Sequence, residues 1–195
     1  TEDKGEQENG TDDQDGSRFS VDFDALRQIN PDVVAWIRFD EPAVINYPVV
    51  QGTDNEYYLK HTFKKTEHVA GSIFLDKDNS PDFSNRKTIL YGHNMKDGSM
   101  FQGLHKYESE SYLQEHNKVY LYLPAVETLT YTVIKCGYVK ADSDTFWLGE
   151  PVETSQLLLS TCGSDSSKRL VLFCELPEEQ EESEVNGEDI SMEVF

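Results

Sequence analysis

Short runs rich in apolar and β-branched residues recur along this chain between polar segments, a pattern typical of β-strands. Eight such runs are separated by turn signals: Val33–Phe39, Val44–Val50, Ser72–Asp76, Lys87–His93, Lys118–Leu123, Thr128–Val139, Gln156–Cys162 and Lys168–Leu176. The long crossover helices of a doubly wound parallel sheet are missing between them. The pattern therefore predicts a barrel or a sandwich of about eight strands.

The predicted helices are short. Phe23 and Leu26 have the i, i+3 spacing of one helical face, and Ser20 or Asp22 could cap a helix that runs to Gln28. Three more short helices are predicted outside the strands: Glu56–His61, Ser99–Lys106 and Glu110–His116. The fold class is therefore mainly β, with short N-terminal and peripheral helices.

Charge divides the chain into three parts. Of the formal net charge of −20, residues 1–20 carry −5 and residues 177–195 carry −8. We expect an acidic disordered linker at 1–19, one domain at 20–177 and an acidic tail at 178–195. The acidity argues against nucleic acid, whose phosphates need a basic surface. Because no apolar run reaches the roughly 20 residues of a membrane helix, we expect a soluble protein or an ectodomain separated from its anchor.

Cysteine and histidine show no metal-binding or redox spacing. The three cysteines, Cys136, Cys162 and Cys174, are too few for a disulfide scaffold and form no CxxC pair. None of the five histidines belongs to an HExxH motif or a Cys/His knuckle. We therefore predict neither a metal nor another cofactor.

The last two predicted strands indicate a possible nucleophile. Alternation along Lys168–Leu176 places Cys174 on an all-apolar face, where a thiol is usually a small buried hydrophobe. Cys162 instead ends an apolar strand and precedes a loop of small polar residues, Gly163–Ser167. If the strands pair as a hairpin, Cys162 and Arg169 flank its turn, about 5 Å apart at Cβ. A guanidinium there would favour a thiolate or an acyl oxyanion; the alternative is a structural cysteine beside a surface arginine.

His93 ends a predicted strand directly after Gly92, where the chain can turn and expose the ring. Imidazole can both generate a thiolate and protonate a leaving amine. A lone histidine at a strand end is, however, more often a surface residue or a satisfied core residue. The residue pattern alone therefore makes His93 a candidate acid/base and leaves both alternatives open.

Three groups of segments, taken together, resemble the class B sortases over about residues 20–176. In chain order, the segments are NPDVVAWIR at 30–38, NYPVVQG at 46–52 and DNEYYL at 54–59; then YGHNMKDGSMF at 91–101; then LSTC at 159–162 with Arg169. Each group alone is moderately informative. Their joint occurrence in this order is highly specific.

The resemblance implies an eight-stranded sortase β-barrel on the extracellular face of a Gram-positive bacterium, anchored in the membrane outside this sequence. It implies a cysteine transpeptidase that cuts a sorting signal of the LPxTG or NPxTN kind after its threonine. The threonine carbonyl is then joined to an amine of peptidoglycan or of a pilin. On the matching positions, Cys162 is the nucleophile and His93 the acid/base. Arg169 holds the substrate carbonyl oxygen, together with the backbone N–H of Gly163.

By the same resemblance, four further residues would line the groove for the sorting signal: Asn55, Leu59, Ser160 and Thr161. Two features depart from the family pattern. Class B members usually carry a long insertion with a helix before the strand Gln156–Cys162, whereas only Lys140–Ser155 fill that gap here. The loop from Cys162 to Arg169 is also short, which would open one wall of the groove. Separately, no Asp or Asn is apparent that would orient His93.

Two alternative functions stay open at this point. A cysteine hydrolase would use the same three residues and release the acyl group to water. A non-catalytic surface-binding module could use a sortase-like barrel without any chemistry, although the joint presence of Cys162, His93 and Arg169 argues against it. Comparing the products formed with and without an amine distinguishes a hydrolase from a transpeptidase. Reaction of Cys162 with a thiol-directed peptide mimic distinguishes an enzyme from a binding module.

Overall fold

The computed structural model describes residues 19–40, 45–124, 128–146, 148–149, 151–162 and 167–178, and for Cys162 it describes the backbone alone. The acidic ends predicted at 1–19 and 178–195 lie outside the described residues, apart from Phe19 and Glu178. Almost all of the described residues thus belong to the domain predicted at 20–177.

Eight strands close into a β-barrel. In chain order they are β1 (Val33–Phe39), β2 (Asn46–Val50), β3 (Ile73–Leu75), β4 (Lys87–Tyr91), β5 (Lys118–Tyr122), β6 (Leu129–Lys140), β7 (Gln156–Cys162) and β8 (Lys168–Glu175). Around the barrel the order is β1, β2, β3, β4, β7, β8, β6 and β5, and β5 pairs again with β1. The β2–β3 and β4–β7 pairs are parallel. The prediction of an eight-stranded, mainly β fold is confirmed, and the barrel is the form that it takes.

The helices are short, as predicted. Helix α1 (Phe23–Ile29) begins after Asp22, whose carboxylate accepts a hydrogen bond from the N–H of Ala25 at 2.9 Å and so caps the first turn. Helix α2 spans Glu110–Glu115, and 3₁₀ segments span Tyr57–Leu59, Phe101–Glu108 and Asp144–Phe146. None of the described helices is both long and apolar enough to cross a lipid bilayer.

The interior of the barrel is apolar, and the last two strands contribute alternate residues to it. On β8 these include Leu170, Leu172 and Cys174, each at most 1% exposed. Leu157 and Leu159 on β7 belong to the same core. The prediction that Cys174 is a buried hydrophobe is confirmed, and burial raises the pKa of its thiol far above the usual range.

Replacing Cys174 by alanine is expected to lower the free energy of unfolding by around 1 kcal/mol, because it removes a buried sulfur from the core. Denaturant unfolding of both proteins measures the difference. Cys136→Ala is the matched control and should cost less, since Cys136 on β6 is only half-buried. Equal stability of the Cys174→Ala protein and the wild type would contradict this account of the core.

The connection between β6 and β7, residues 141–155, has a 3₁₀ segment and no long helix among its described residues. Its Phe146 side chain packs against an apolar cluster made of Ile89, Leu158 and Val171. These three residues alternate with residues of the barrel interior, so the cluster lies on the outer face of β4, β7 and β8. The short connection therefore covers this face with an aromatic side chain.

Candidate active site

Three neighbouring strands bring the predicted catalytic residues to one end of the barrel. In the parallel β4–β7 pair, Tyr91 lies opposite Ser160. His93 and Cys162 each follow two residues later, so both lie at the same end of this strand pair. In the antiparallel β7–β8 pair, Arg169 lies opposite Cys162, as a hairpin requires. Because adjacent strands are about 4.8 Å apart, the backbones of Cys162 and Arg169 lie close together, and His93 follows the end of the neighbouring strand β4.

A pocket of about 380 Å³ lies at this end of the barrel. Its lining includes six of the residues predicted from the sequence: Asn55, Leu59, His93, Ser160, Thr161 and Arg169. Five others complete the described lining: Phe74, Tyr91, Gly92, Ala141 and Phe146. The side chain of Cys162 and the whole of Gly163 lie outside the described residues. Apolar walls with a few converging polar groups are typical of a ligand-binding pocket.

A main-chain carbonyl orients the ring of His93. Its Nε2 lies 2.7 Å from the carbonyl oxygen of Leu59, in the 3₁₀ segment that follows β2. A carbonyl oxygen only accepts, so Nε2 carries the proton of the neutral ring and Nδ1 is the nitrogen that can take up a proton. This contact is the orienting group that sequence reasoning missed. A backbone oxygen is present at every residue, and no residue type could have indicated it.

Replacing Gly71 by alanine is expected to disturb both the fold and His93. Gly71 has φ +57°, and an added Cβ would collide with the carbonyl oxygen of Tyr58 and lie 2.8 Å from that of Leu59, the acceptor for His93. We expect the free energy of unfolding to fall by about 3 kcal/mol. We also expect lower catalytic activity at temperatures where the variant is folded. Urea unfolding and a peptide-cleavage assay measure the two effects.

Gly98→Ala is the matched control for Gly71→Ala. Gly98 also has positive φ, +86°, but the nearest atom to an added Cβ is 4.0 Å away. Gly98→Ala should therefore lower the free energy of unfolding by about 1 kcal/mol, the cost of positive φ for alanine. Its activity should be unchanged. Equal effects of the two substitutions would mean that crowding against the Leu59 carbonyl is unimportant.

Arg169 supplies positive charge at the pocket. β8 is paired on both sides, with Cys162 on β7 and Val139 on β6 opposite Arg169, which anchors its backbone. Its Nη1 donates to the carbonyl oxygen of Lys168 at 3.2 Å. Burial and the negative charge of Asp76 raise the pKa of Tyr91, whereas the charge of Arg169 acts in the opposite direction. The field of Arg169 therefore reaches the wall of the pocket.

Two buried hydroxyl groups lie beside the end of β7. Ser160 and Thr161 are each 2% exposed. Within the described part of the chain, neither Ser160 Oγ nor Thr161 Oγ1 has a hydrogen-bond partner. A buried polar group without a partner costs about 1–3 kcal/mol. Both residues line the pocket, where a bound ligand could supply the missing partners.

Comparison with known proteins assigns a family to this chain. The family model of the sortase domain matches residues 39–177, from the last residue of β1 to just beyond β8. The chain belongs to the sortase family. The resemblance found in the sequence segments is thereby confirmed.

Two curated relatives of this sortase are class B members. Sortase B of Listeria monocytogenes is 46% identical over 91 residues, which cover 47% of this chain and 37% of that protein. Sortase B of Staphylococcus aureus is 36% identical over 126 residues, which cover 62% of this chain and 51% of that protein. The chain thus spans about half or less of the length of these curated relatives.

Solved structures of class B sortases share the barrel. Sortase B from B. anthracis has a TM-score of 0.68 at 36% identity, with 79% of this chain and 83% of that chain covered. The S. aureus sortase B–substrate complex has a TM-score of 0.69 at 27% identity, with 80% of this chain and 84% of that chain covered. These matches confirm the predicted sortase-type fold.

Proposed function

We propose that this sortase is a cysteine transpeptidase of the sortase B type, acting on a sorting signal of the LPxTG or NPxTN kind. The observation that carries the proposal is a pocket lined by both His93 and Arg169, at the end of the barrel where Arg169 lies opposite Cys162 on the neighbouring strand. A thiol, an imidazole and a guanidinium are the groups that acyl transfer through a thioester requires.

In the first half-reaction, the Cys162 thiolate attacks the carbonyl carbon of the signal's threonine. Arg169 and the N–H of Gly163 stabilise the negative oxygen of the tetrahedral intermediate. The peptide C–N bond then breaks, a thioester forms, and His93 gives a proton to the departing amine. Because the Leu59 carbonyl holds Nε2–H, Nδ1 is the nitrogen that transfers this proton.

In the second half-reaction, an amine of peptidoglycan or of a pilin attacks the thioester. His93 removes a proton from the incoming amine, a new peptide bond forms, and the Cys162 thiolate leaves. His93 gives up one proton in the first half-reaction and takes one back in the second. The two half-reactions together therefore need no further proton donor and no cofactor. These acceptors, like the sorting signal, imply action at the outer face of a Gram-positive cell.

The pocket is the proposed binding site of the sorting signal. Asn55 and Tyr91 offer polar groups, and Leu59 and Phe146 offer apolar walls. The S. aureus sortase B–substrate complex is the related structure that supports peptide binding here. Because the β6–β7 connection is short, Phe146 would take part of the role that a longer insertion has in other class B members.

Incubation with a panel of sorting-signal peptides tests the proposal, with and without a glycine oligomer or a lysine-containing pilin peptide as acceptor. We expect cleavage after threonine and, with the amine present, a ligated product. Release of the free acid alone, even at high amine concentration, would favour a hydrolase. No cleavage, combined with no reaction of Cys162 with a thiol-directed peptide mimic, would favour a binding module.

A further inference from the structure

Asp76 is a buried carboxylate beside the pocket that the proposed chemistry does not use. It directly follows β3 and is 7% exposed. Its Oδ2 accepts two hydrogen bonds, from Asn55 Nδ2 at 2.9 Å and from the Tyr91 hydroxyl at 2.8 Å. Its Oδ1 accepts a third, from the N–H of Asp78 at 2.9 Å. A buried carboxylate needs such partners, and two of the three partner residues line the pocket.

These contacts determine which atoms Asn55 and Tyr91 present. Asn55 Oδ1 accepts from the N–H of Lys77 at 2.8 Å, while Asn55 Nδ2 donates to Asp76. A carboxylate only accepts and an N–H only donates, so the amide of Asn55 has one orientation. Its second Nδ2 hydrogen is not used by Asp76. The Tyr91 hydroxyl gives its single hydrogen to Asp76, so its oxygen can act only as an acceptor toward other groups.

We infer that Asp76 is a positioning residue for the sorting signal. It holds Asn55 as an N–H donor and Tyr91 as an oxygen acceptor, a pair that matches the C=O and N–H of one residue of an extended substrate, since these two groups point to the same side. Burial and the charge of Asp76 keep the pKa of Tyr91 above its usual range, so the hydroxyl remains the donor that this arrangement needs. The inference rests on the proposed function and adds the residue that organises its binding pocket.

Asp76→Asn tests the inference with little change in shape. The new NH₂ group must replace one of the two carboxylate oxygens, and at either position it meets a donor: the N–H of Asp78, or the Asn55 amide and the Tyr91 hydroxyl. We expect the dissociation constant of a sorting-signal peptide, measured in a Cys162→Ala background, to rise about tenfold. With Cys162 present, KM should rise more than kcat falls. The rate of Cys162 alkylation by iodoacetamide should stay unchanged.

Asp78→Asn is the matched control. It makes the same change of charge two residues away, on an exposed side chain held by the ammonium of Lys77 at 2.7 Å. Peptide affinity should be unchanged. If Asp76→Asn proves too unstable to measure, Tyr91→Phe removes one of the two bonds to Oδ2 and should weaken binding several-fold.

A double-mutant cycle separates positioning from a general structural role. If Asp76 acts through Asn55, then Asp76→Asn should add little to the loss already caused by Asn55→Ala. Three results would each overturn the inference. The losses of peptide affinity in Asp76→Asn and Asn55→Ala could multiply in the double variant, or Asp76→Asn could bind the peptide as tightly as its parent. The rate of Cys162 alkylation could also fall in Asp76→Asn by as large a factor as the peptide affinity. Failure of the proposed function is distinguishable, because binding without cleavage by the wild type would reject catalysis while the affinities still test Asp76. No binding by the Cys162→Ala parent would overturn both.

Discussion

Replacing Cys162 by alanine is expected to lower turnover of a sorting-signal peptide by about 10⁴-fold or more, because no other group can form the thioester. Cys162 ends β7 directly opposite Arg169, whereas Cys174 lies inside the barrel with a thiol pKa raised by burial. The stability of the protein should hardly change, since the substitution falls at the end of a strand. Steady-state cleavage of a quenched fluorescent peptide measures the effect.

Cys136→Ala is the matched control, since it removes a thiol that is half-buried on β6. Burial also raises the pKa of Cys136, to about 11, so it contributes little thiolate at neutral pH. Full activity of Cys136→Ala beside an inactive Cys162→Ala protein would assign the nucleophile. Equal activity of Cys162→Ala and the wild type would eliminate the enzyme hypothesis.

The second large effect is expected at Arg169. Arg169→Ala should lower kcat by about 10³-fold and Arg169→Lys by about 10²-fold, with smaller changes in KM. The reason is that the guanidinium acts on charge that develops only in the transition state, so its loss affects kcat more than binding. Lysine would keep the charge but lose the planar pair of donors.

Lys168→Ala is the matched control for Arg169. It removes an exposed positive charge one residue earlier on β8 and keeps the carbonyl that accepts from Arg169 Nη1. Its kcat should be close to that of the wild type. An Arg169→Ala protein with altered KM and unchanged kcat would mean that the guanidinium binds the ground state of the peptide rather than an oxyanion.

Most of the barrel could be predicted because strand patterns are local. Val33–Phe39 and Gln156–Cys162 were predicted with the bounds that the structure has, since each is a mostly apolar run with polar or turn-forming residues on both sides. The strand predicted as Lys87–His93 ends at Tyr91 instead, and the Gly92 N–H still bonds to Ser160 before the chain turns away. The order of strands around the barrel, including the parallel β4–β7 pair, depends on contacts distant in sequence that no local pattern records.

The site was predictable where its residues have distinctive chemistry. Cysteine, histidine and arginine at strand ends stand out, and the family resemblance named them together. Asp76 did not stand out, because it was only the last residue of the predicted strand Ser72–Asp76 and its role depends on contacts with Asn55 and Tyr91. Phe146 was missed for a related reason. The sequence showed only that the segment containing Phe146 is short. Its length did not indicate that an aromatic side chain in it would form part of the pocket wall.

Mass spectrometry of the protein quenched during turnover of a sorting-signal peptide tests directly whether Cys162 carries the acyl group. The account predicts an adduct on Cys162 with the mass of the peptide portion up to threonine, joined as a thioester. Addition of a glycine oligomer should discharge this adduct into a ligated peptide. Turnover with the acyl group on another residue would contradict the account. So would turnover in which no covalent adduct is detected even when the amine is omitted, since the thioester then has no amine acceptor.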